Sequence, residues 1–159
     1  DAQGHELGPK NSRSGPNRLL PEASATGDKG ARLRGPGFSP DGERIALNAR
    51  IDPSIAPSGY ALFMILAKTG QATRLPGVRS QNVVAWSPDG KSLAFRDSNN
   101  LVRYDLESGK THTLASSIRS STAWSRDGKW IADVPNAGVH LISPDGKQNK
   151  PVPRRDPEG

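Results

Sequence analysis

Four aspartates recur at corresponding places along this chain, and repeated carboxylates are suited to acid–base catalysis or calcium binding. Each is followed directly by glycine, as Asp41 and Gly42, Asp89 and Gly90, Asp127 and Gly128, and Asp145 and Gly146. Asp-Gly is typical of a tight hairpin turn, because glycine accepts the positive φ angle that such a turn requires. The turn accounts for all these residues, so we interpret them as structural and calcium binding as the less favoured alternative.

Other residue types that support catalysis or metal binding are sparse. The chain has three histidines and no cysteine, which excludes disulfide bonds and thiolate metal sites. His5, His112 and His140 are widely separated and lack the His-x-His or His-x-x-x-His spacing of a metal site. The sequence also contains neither a Gly-x-Ser-x-Gly nucleophile elbow nor a phosphate-binding loop. We therefore predict no catalytic residue, no metal and no cofactor, and a protein that is not an enzyme.

The aspartate turns belong to a longer repeat. Phe-Ser-Pro-Asp-Gly at residues 38–42 recurs as Trp-Ser-Pro-Asp-Gly at 86–90 and as Trp-Ser-Arg-Asp-Gly at 124–128. A weaker X-Gly repeat follows a short apolar run in each unit, at Thr69-Gly70, Ser108-Gly109 and Asp145-Gly146. Each unit predicts four antiparallel strands in about 40 residues, the size of one propeller blade. In the second unit we predict the strands Val83–Ser87, Ser92–Arg96, Leu101–Leu106 and Thr111–Ala115.

The phrases FSPDGERIAL, WSPDGKSLAF and WSRDGKWIAD resemble the WD40-like PD40 repeat of TolB-type β-propellers. The resemblance implies an all-β fold of three four-stranded antiparallel propeller-type blades over residues 31–153, as a partial or assembled β-propeller. Residues 1–30 are expected to form an extended N-terminal segment, in which Gly15–Leu20 could complete a blade. Residues 154–159 are expected to be a tail.

The resemblance also implies a function, since TolB-type propellers hold envelope proteins. We expect a non-catalytic protein-binding or scaffolding module, a subunit of a larger envelope or membrane-associated complex, in the periplasm or elsewhere outside the cytoplasm. The alternative is a fragment of a propeller-containing enzyme such as a peptidase, without its catalytic domain. Closed propellers have about four to eight blades. Three units therefore predict either a longer chain or other protein subunits, in a hetero-complex or a homodimer, that cover end strands such as Ile45–Leu47 and Val139–Ile142.

Charge and hydropathy exclude two further classes of partner. The formal net charge is +6, but the lysines and arginines are scattered and form no basic run with interleaved aromatic residues. This weak electrostatic footprint argues against nucleic-acid binding. A membrane-spanning helix needs about 20 apolar residues, whereas the longest apolar stretch, Ala61–Ala67, has only the length of a strand. We expect no direct membrane span.

Alternation along the strands assigns side chains to two faces of each blade. We expect the second strands to carry Ile45, Leu47, Leu93 and Phe95 on one face and Ala46, Ala94 and Ala132 on the other, where a neighbouring blade can approach. In the third strands we expect Phe63 and Ile65, Val102 and Tyr104, and Val139 and Leu141 to share a face. Phe38, Trp86 and Trp124 occupy equivalent positions, and we interpret them as blade-packing aromatics rather than a ligand-stacking platform.

The positions at which the units differ could determine this protein's particular function. Unit one has an insertion at residues 51–60, and its third strand carries Met64 and Leu66 where unit two has Arg103 and Asp105. Because recognition residues often lie on loops of a rigid scaffold, we hypothesise that a partner contacts Ile51, Ile55, Tyr60, Met64 and Leu66. A self-packed surface loop is the alternative for the insertion. Asp133 replaces an inward-facing apolar residue, and we expect it near water in a partly open terminal blade.

Overall fold

A computed structural model describes residues 33–50, 59–78, 80, 84–116, 122–134 and 138–153 of the chain. These residues form only β-strands and turns. The strands are β1 (Leu33–Phe38), β2 (Arg44–Arg50), β3 (Tyr60–Leu66), β4 (Ala72–Arg74), β5 (Ala85–Trp86), β6 (Ser92–Asp97), β7 (Asn100–Asp105), β8 (Thr111–Ala115), β9 (Ala123–Trp124), β10 (Ile131–Asp133), β11 (His140–Ile142) and β12 (Asn149–Pro151). The predicted N-terminal segment, its Gly15–Leu20 strand and the 154–159 tail lie outside the described residues.

The strands form three antiparallel sheets of four, and each sheet is a simple meander. Blade 1 has the order β1-β2-β3-β4, blade 2 the order β5-β6-β7-β8 and blade 3 the order β9-β10-β11-β12. The predicted fold class is therefore confirmed. In blade 2 the last three strands agree with the sequence-based bounds to within one residue, whereas the first is only the two residues Ala85 and Trp86.

The first turn of each blade is built by a serine and an aspartate acting together. In blade 1 the Ser39 hydroxyl donates to Asp41 Oδ1, which also accepts the backbone N–H of Glu43 at 3.0 Å. The Ser39 hydroxyl oxygen in turn accepts the N–H of Arg44 at 2.9 Å. Gly42 completes the turn with a φ of +73°, the left-handed region that glycine adopts without strain. We call this arrangement the Ser-x-Asp-Gly turn.

Within the described residues the Ser-x-Asp-Gly turn occurs four times, once more than the longer repeat indicates. Ser87 with Asp89 and Ser125 with Asp127 repeat the hydrogen bonds in blades 2 and 3. The fourth copy, Ser143 with Asp145, joins β11 to β12. The corresponding turns of blades 1 and 2 are different, because Gly70 and Gly109 donate to carbonyls four residues earlier. Asp145-Gly146 thus lies between the third and fourth strands of its blade, as Gly70 and Gly109 do and as the sequence predicts, but it forms a different type of turn.

In blades 1 and 2 the side chains alternate between the two faces of the sheet as expected. Ala46 and Leu62 of blade 1 are fully buried in a cluster with Leu93, Phe95 and Val102 of blade 2. Ala94, Leu101 and Leu114 of blade 2 are buried in the same way against Ile131 and Ile142 of blade 3. We call the Ala46 side of a blade its forward face and the Leu47 side its rear face. The forward faces of blades 1 and 2 each pack on the rear face of the following blade.

In blade 3 the predicted parity of the third strand is wrong by one residue. Leu47 pairs with Phe63 and Phe95 with Val102, but the equivalent Asp133 pairs with His140. Ile131 likewise pairs with Ile142, and both lie in the rear-face cluster against blade 2. Val139 and Leu141 therefore lie on the forward face, because a one-residue shift moves every side chain of a strand to the opposite face.

Candidate binding surfaces

The partner-contact residues hypothesised from the sequence are only partly described. Ile51 and Ile55 lie outside the described residues. Tyr60, Met64 and Leu66 alternate along β3 and share its forward face. Met64 packs against the cluster between blades 1 and 2, so the neighbouring blade covers it. Leu66 is 41% exposed at the end of the strand.

Tyr60 lies at the opposite end of β3 from Leu66. It pairs with Arg50 and is half-buried, and the guanidinium of Arg34 lies 5.2 Å from the centroid of its ring. This distance is within the range of a cation–π contact. The structure thus places Tyr60 at one end of blade 1, Leu66 at the other and Met64 in the blade junction between them.

The junction between blades 1 and 2 is closed by Arg44. Its guanidinium lies 5.0 Å from the centroid of the Trp86 ring and donates to the carbonyl oxygen of Gly90 at 3.0 Å. The Trp86 indole N–H donates across the same junction to the carbonyl oxygen of Gly37 at 2.9 Å. Trp86 is only 9% exposed. These contacts make Trp86 a blade-packing aromatic, whereas the equivalent Phe38 of blade 1 is 64% exposed.

The junction between blades 2 and 3 contains a cleft of about 310 Å³ instead. Ser92 follows its turn serine by the same five residues as Arg44 does, so it takes the place of Arg44 in blade 2. A serine side chain cannot reach across the junction to the next tryptophan. Ser92, Pro88 and Arg103 line the cleft from blade 2, and Trp124, Arg126 and Pro144 line it from blade 3.

Two of the residues that line this cleft each have a buried N–H donor that finds no hydrogen-bond acceptor in the described structure. These donors are the Nε–H of Arg103 and the indole Nε1–H of Trp124. Leaving a buried donor unsatisfied costs about 1–3 kcal/mol. The sequence predicted Trp124 to be a blade-packing aromatic and Arg103 to be only the counterpart of Met64, and it predicted neither as a binding residue. Its available signal was the replacement of Arg44 by Ser92 and of Met64 by Arg103 at equivalent positions.

In the part of the chain that the structure describes, no strand covers the centre of the forward face of blade 3. Val139 and Val152 are 39% and 40% exposed, and the N–H of Val152 donates to the Val139 carbonyl oxygen at 2.8 Å. Val134 lies two residues beyond Ala132 on the same face and is 46% exposed. We call these three valines, with Leu141 and Trp130 beside them, the forward surface of blade 3.

A basic and an aromatic side chain stack at the margin of this surface. The ammonium nitrogen of Lys150 lies 3.9 Å from the centroid of the Trp130 ring. Lys150 pairs with Leu141 across β11 and β12, and Trp130 precedes Ala132 by two residues, so both share the forward face. The surface therefore combines an apolar centre with a tryptophan and one positive charge.

Asp133 is buried, contrary to the expectation that it lies near water. It is 2% exposed, and its Oδ1 has no hydrogen-bond partner in the described structure. Burial raises the pKa of Asp133 above its ordinary value of 3.8, against smaller opposing effects of the Val134 backbone and His140. His140 is its cross-strand neighbour, and His140 Nδ1 lies 2.8 Å from the side-chain oxygen of Asn149. Asp133 is buried although blade 3 is the last blade, because it lies on the rear face of blade 3 and this face packs against blade 2.

The pKa values of the turn aspartates are shifted in the opposite direction from that of Asp133. Hydrogen bonds from their turn serines, reinforced by backbone N–H groups, hold the pKa values of Asp41, Asp89, Asp127 and Asp145 below the ordinary value. Within the described ranges no three histidine, aspartate or glutamate side chains group to hold a metal ion. In the same part of the chain no helix is long and apolar enough to cross a membrane.

Comparison with known proteins identifies the architecture. No protein-family model matches the chain, and no curated protein matches its sequence. Its structure is similar to TolB from Acinetobacter baumannii, with a TM-score of 0.61 and 18% identity, over 76% of this chain and 32% of TolB. It is also similar to the β-propeller domain of the Trilobed protease from Pyrococcus furiosus, with a TM-score of 0.57 and 20% identity, over 78% of this chain and 43% of that chain.

A third similar structure is the acylaminoacyl peptidase from Pyrococcus horikoshii, with a TM-score of 0.56 and 16% identity. The match covers 77% of this chain and 25% of the peptidase. This chain thus spans less than half the length of each of the three proteins. At these identities the likeness shows the fold alone, and the expected resemblance to TolB-type propellers is confirmed at that level.

Proposed function

We propose that this chain is a non-catalytic protein-binding or scaffolding module, a subunit of a larger complex, and that it binds its partner through the forward surface of blade 3. One comparison between repeats carries the proposal. Leu62 of blade 1 and Leu101 of blade 2 are 0% exposed because the next blade covers them, whereas Val139 is 39% exposed. The same position is thus apolar in all three blades, and among the described residues no sheet covers it in blade 3.

The neighbouring outer strand repeats this difference. Leu75 donates its N–H to the Leu62 carbonyl oxygen at 2.9 Å, as Val152 does to Val139. Leu75 packs against the cluster between blades 1 and 2, whereas Val152 is 40% exposed. Burying apolar area yields about 25 cal/mol per Å², so a sheet packed on Val139 and Val152 would be stabilised as the other blades are. Trp130 adds a residue type enriched at interface centres.

A different protein is favoured over a second copy of this chain as the occupant. A two-copy ring would have to place blade 3 of each copy on the rear face of blade 1 of the other. Leu47 and Phe63 of that rear face are each only 6% exposed. The expectation of exposure was therefore wrong for Leu47 and Ile142, whereas Ile45 is partly exposed and Val139 is 39% exposed. We propose that the partner presents an apolar sheet face with an acidic residue opposite Lys150.

We also propose that the protein lies outside the cytoplasm. The TolB-type repeat and the structural similarity to TolB support a place outside the cytoplasm, in the periplasm of a cell that has one. There the module would act as a scaffold in an envelope or membrane-associated complex.

A propeller domain of an enzyme is the second candidate. The similarity to the propeller domain of the Trilobed protease, at a TM-score of 0.57, is nearly as high as the similarity to TolB. In that case the forward surface of blade 3 would meet a further blade of the same polypeptide, and the propeller would support a catalytic domain.

Site-specific photo-crosslinking in the native source tests the proposal. A photoreactive amino acid at Val139 or Val152 should crosslink one defined protein, and the same residue at Thr111, an exposed strand position of blade 2, should not. The same probe at Leu66 tests the surface hypothesised from the sequence. Absence of any crosslink at positions 139 and 152 would overturn the proposal. A crosslink within the same polypeptide would favour the enzyme domain.

A further inference from the structure

Two equivalent blade junctions of this protein differ in what fills them. Arg44 fills the first by stacking on Trp86 and bonding to the carbonyl oxygen of Gly90. Ser92 at the equivalent place leaves the second with a cleft of about 310 Å³, at the lower end of the size range of small-molecule sites. The space between blades 2 and 3 is therefore available to a ligand. In the junction between blades 1 and 2 the Arg44 side chain occupies the equivalent space.

The polar groups of this cleft favour an anionic ligand. Arg103 and Trp124 each have a buried N–H donor without an acceptor in the described structure, and Arg126 adds an exposed guanidinium. Each of the two aspartates that also line the cleft has one carboxylate oxygen, Oδ1, engaged in its own turn. Asp89 Oδ1 accepts from the hydroxyl of its turn serine and the N–H of Lys91, and Asp127 has the same two contacts with Ser125 and Lys129. The donors that remain call for an acceptor.

We propose that the cleft between blades 2 and 3 binds a carboxylate attached to a ring-sized or similarly compact apolar group. A carboxylate has two acceptor oxygens and can receive hydrogen bonds from guanidinium and indole donors. The tryptophan and the two prolines of the cleft, Pro88 and Pro144, offer apolar surface to the rest of the ligand. The carboxylate belongs either to a small-molecule acid or to the C-terminus of a peptide. This site is separate from the forward surface of blade 3 and does not depend on the protein-binding proposal.

Indole N–H resonances of the isotope-labelled chain provide a direct test. The chain has three tryptophans, and Trp86 is an internal control because its N–H is already bonded to Gly37. Benzoate at millimolar concentration should shift the Trp124 N–H resonance, whereas the uncharged benzamide should not. N-acetylphenylalanine and its amide form the corresponding peptide pair. Binding of benzoate alone assigns a small-molecule acid, and preferential binding of N-acetylphenylalanine assigns a chain terminus.

Variants taken from the other blades show which residues bind the ligand. Arg103→Met installs the residue of blade 1 at this position and should weaken carboxylate binding about tenfold, since it removes a charge-assisted hydrogen bond. Ser92→Arg should fill the cleft as Arg44 fills junction 1–2 and abolish binding. Lys68→Met is the control, because it removes one positive charge from an exposed turn of blade 1.

Two results would overturn the proposal. One is an equal shift of the Trp124 resonance by acids and amides, or no shift by any of them, which would leave a cleft filled by water only. The other is wild-type affinity in folded Arg103→Met or Ser92→Arg protein. Because the two substitutions act in opposite senses, by removing a donor and by filling space, misfolding of one variant leaves the other as a test.

Discussion

The indole N–H of Trp86 in blade 2 donates to the backbone carbonyl of Gly37 in blade 1, at a distance of 2.9 Å. Gly37 permits this approach, because a Cβ atom there would lie 3.1 Å from the carbonyl oxygen of Val84, which belongs to the backbone and cannot move aside freely. The contact ties the first strands of two blades together. Trp124 occupies the equivalent position in blade 3, but its indole N–H has no partner within the described residues.

Replacing each tryptophan by phenylalanine should separate the hydrogen bond from the packing. Trp86→Phe should lower the free energy of unfolding by about 1 kcal/mol more than the reduced packing alone would, because it leaves the Gly37 carbonyl without its hydrogen-bond donor. Trp124→Phe makes the same chemical change where no hydrogen bond exists, and it should cost less or be neutral. Urea unfolding followed by circular dichroism measures both. Equal losses in the two variants would show that the Trp86 bond contributes nothing.

The Ser-x-Asp-Gly turns should be sensitive to any side chain that resists a positive φ angle. Gly90 has a φ of +67°, and Gly90→Val should lower stability by at least about 1 kcal/mol through backbone strain. A Cβ atom there would also lie 3.3 Å from Nη2 of Arg44. Gly42→Val is the matched control, with a φ of +73° and no atom near a Cβ. It should show the strain alone, and an unchanged melting temperature of Gly90→Val would contradict the structural role of these turns.

Asp133 should make the protein less stable as the pH rises. Its pKa is raised in the folded state by burial, so the folded state holds the proton more tightly than the unfolded state. The contribution of Asp133 to stability is therefore fully present below the ordinary value of 3.8 and is lost as the pH rises through its folded-state pKa. Asp133→Asn should remove this loss and increase stability at neutral pH.

Asp127→Asn is the opposing control for this pH dependence. Hydrogen bonds lower the pKa of Asp127, so its contribution is present at neutral pH and is lost as the pH falls below 3.8 toward the folded-state value. Asp127→Asn should therefore decrease stability at neutral pH. Denaturation curves between pH 3 and 8 compare the variants, and a neutral-pH loss in Asp133→Asn would show that the buried carboxylate is stabilising.

The exposed forward surface of blade 3 should cause self-association of the chain without its partner. At micromolar concentration we expect particles heavier than the 16.9 kDa chain, because contiguous exposed apolar residues favour association. Val139→Asp should shift the distribution toward the monomer, and Thr111→Asp should not. Size-exclusion chromatography with light scattering measures the masses. A monodisperse monomer of the wild-type chain would show that this surface is stable in water.

Local sequence signals were sufficient for the blades and most of their turns. Ser-Pro-Asp-Gly followed by an aliphatic residue and alanine defines a turn and the strand after it, because the hydrogen bonds join residues at most five apart. Such short-range contacts need no information from the rest of the chain. Alternation also assigned Ala46 and Ala94 correctly to the blade junctions.

The face assignment of β11 required the tertiary structure. His140 and Asp133 are polar at positions where the other blades carry apolar residues, so hydrophobic alternation had little signal to set the parity of this strand. Pairing with β10 decided it, and the pairing placed Val139 and Leu141 on the forward face. The forward surface of blade 3 could therefore be identified only from the pairing register of β10 and β11.

By itself, then, the sequence determined the all-β class, the number of blades and the places where the chain turns, since these depend on residues close together in the chain. Only the tertiary structure decided which apolar faces are covered and which polar atoms keep a partner. Arg44 reaches Gly90 across 46 residues, whereas Ser92 at the equivalent place leaves the Trp124 indole N–H without a partner among the described residues. Covering a face or satisfying a donor is a property of two blades in contact, so it is set by how the blades pack and not by either repeat alone.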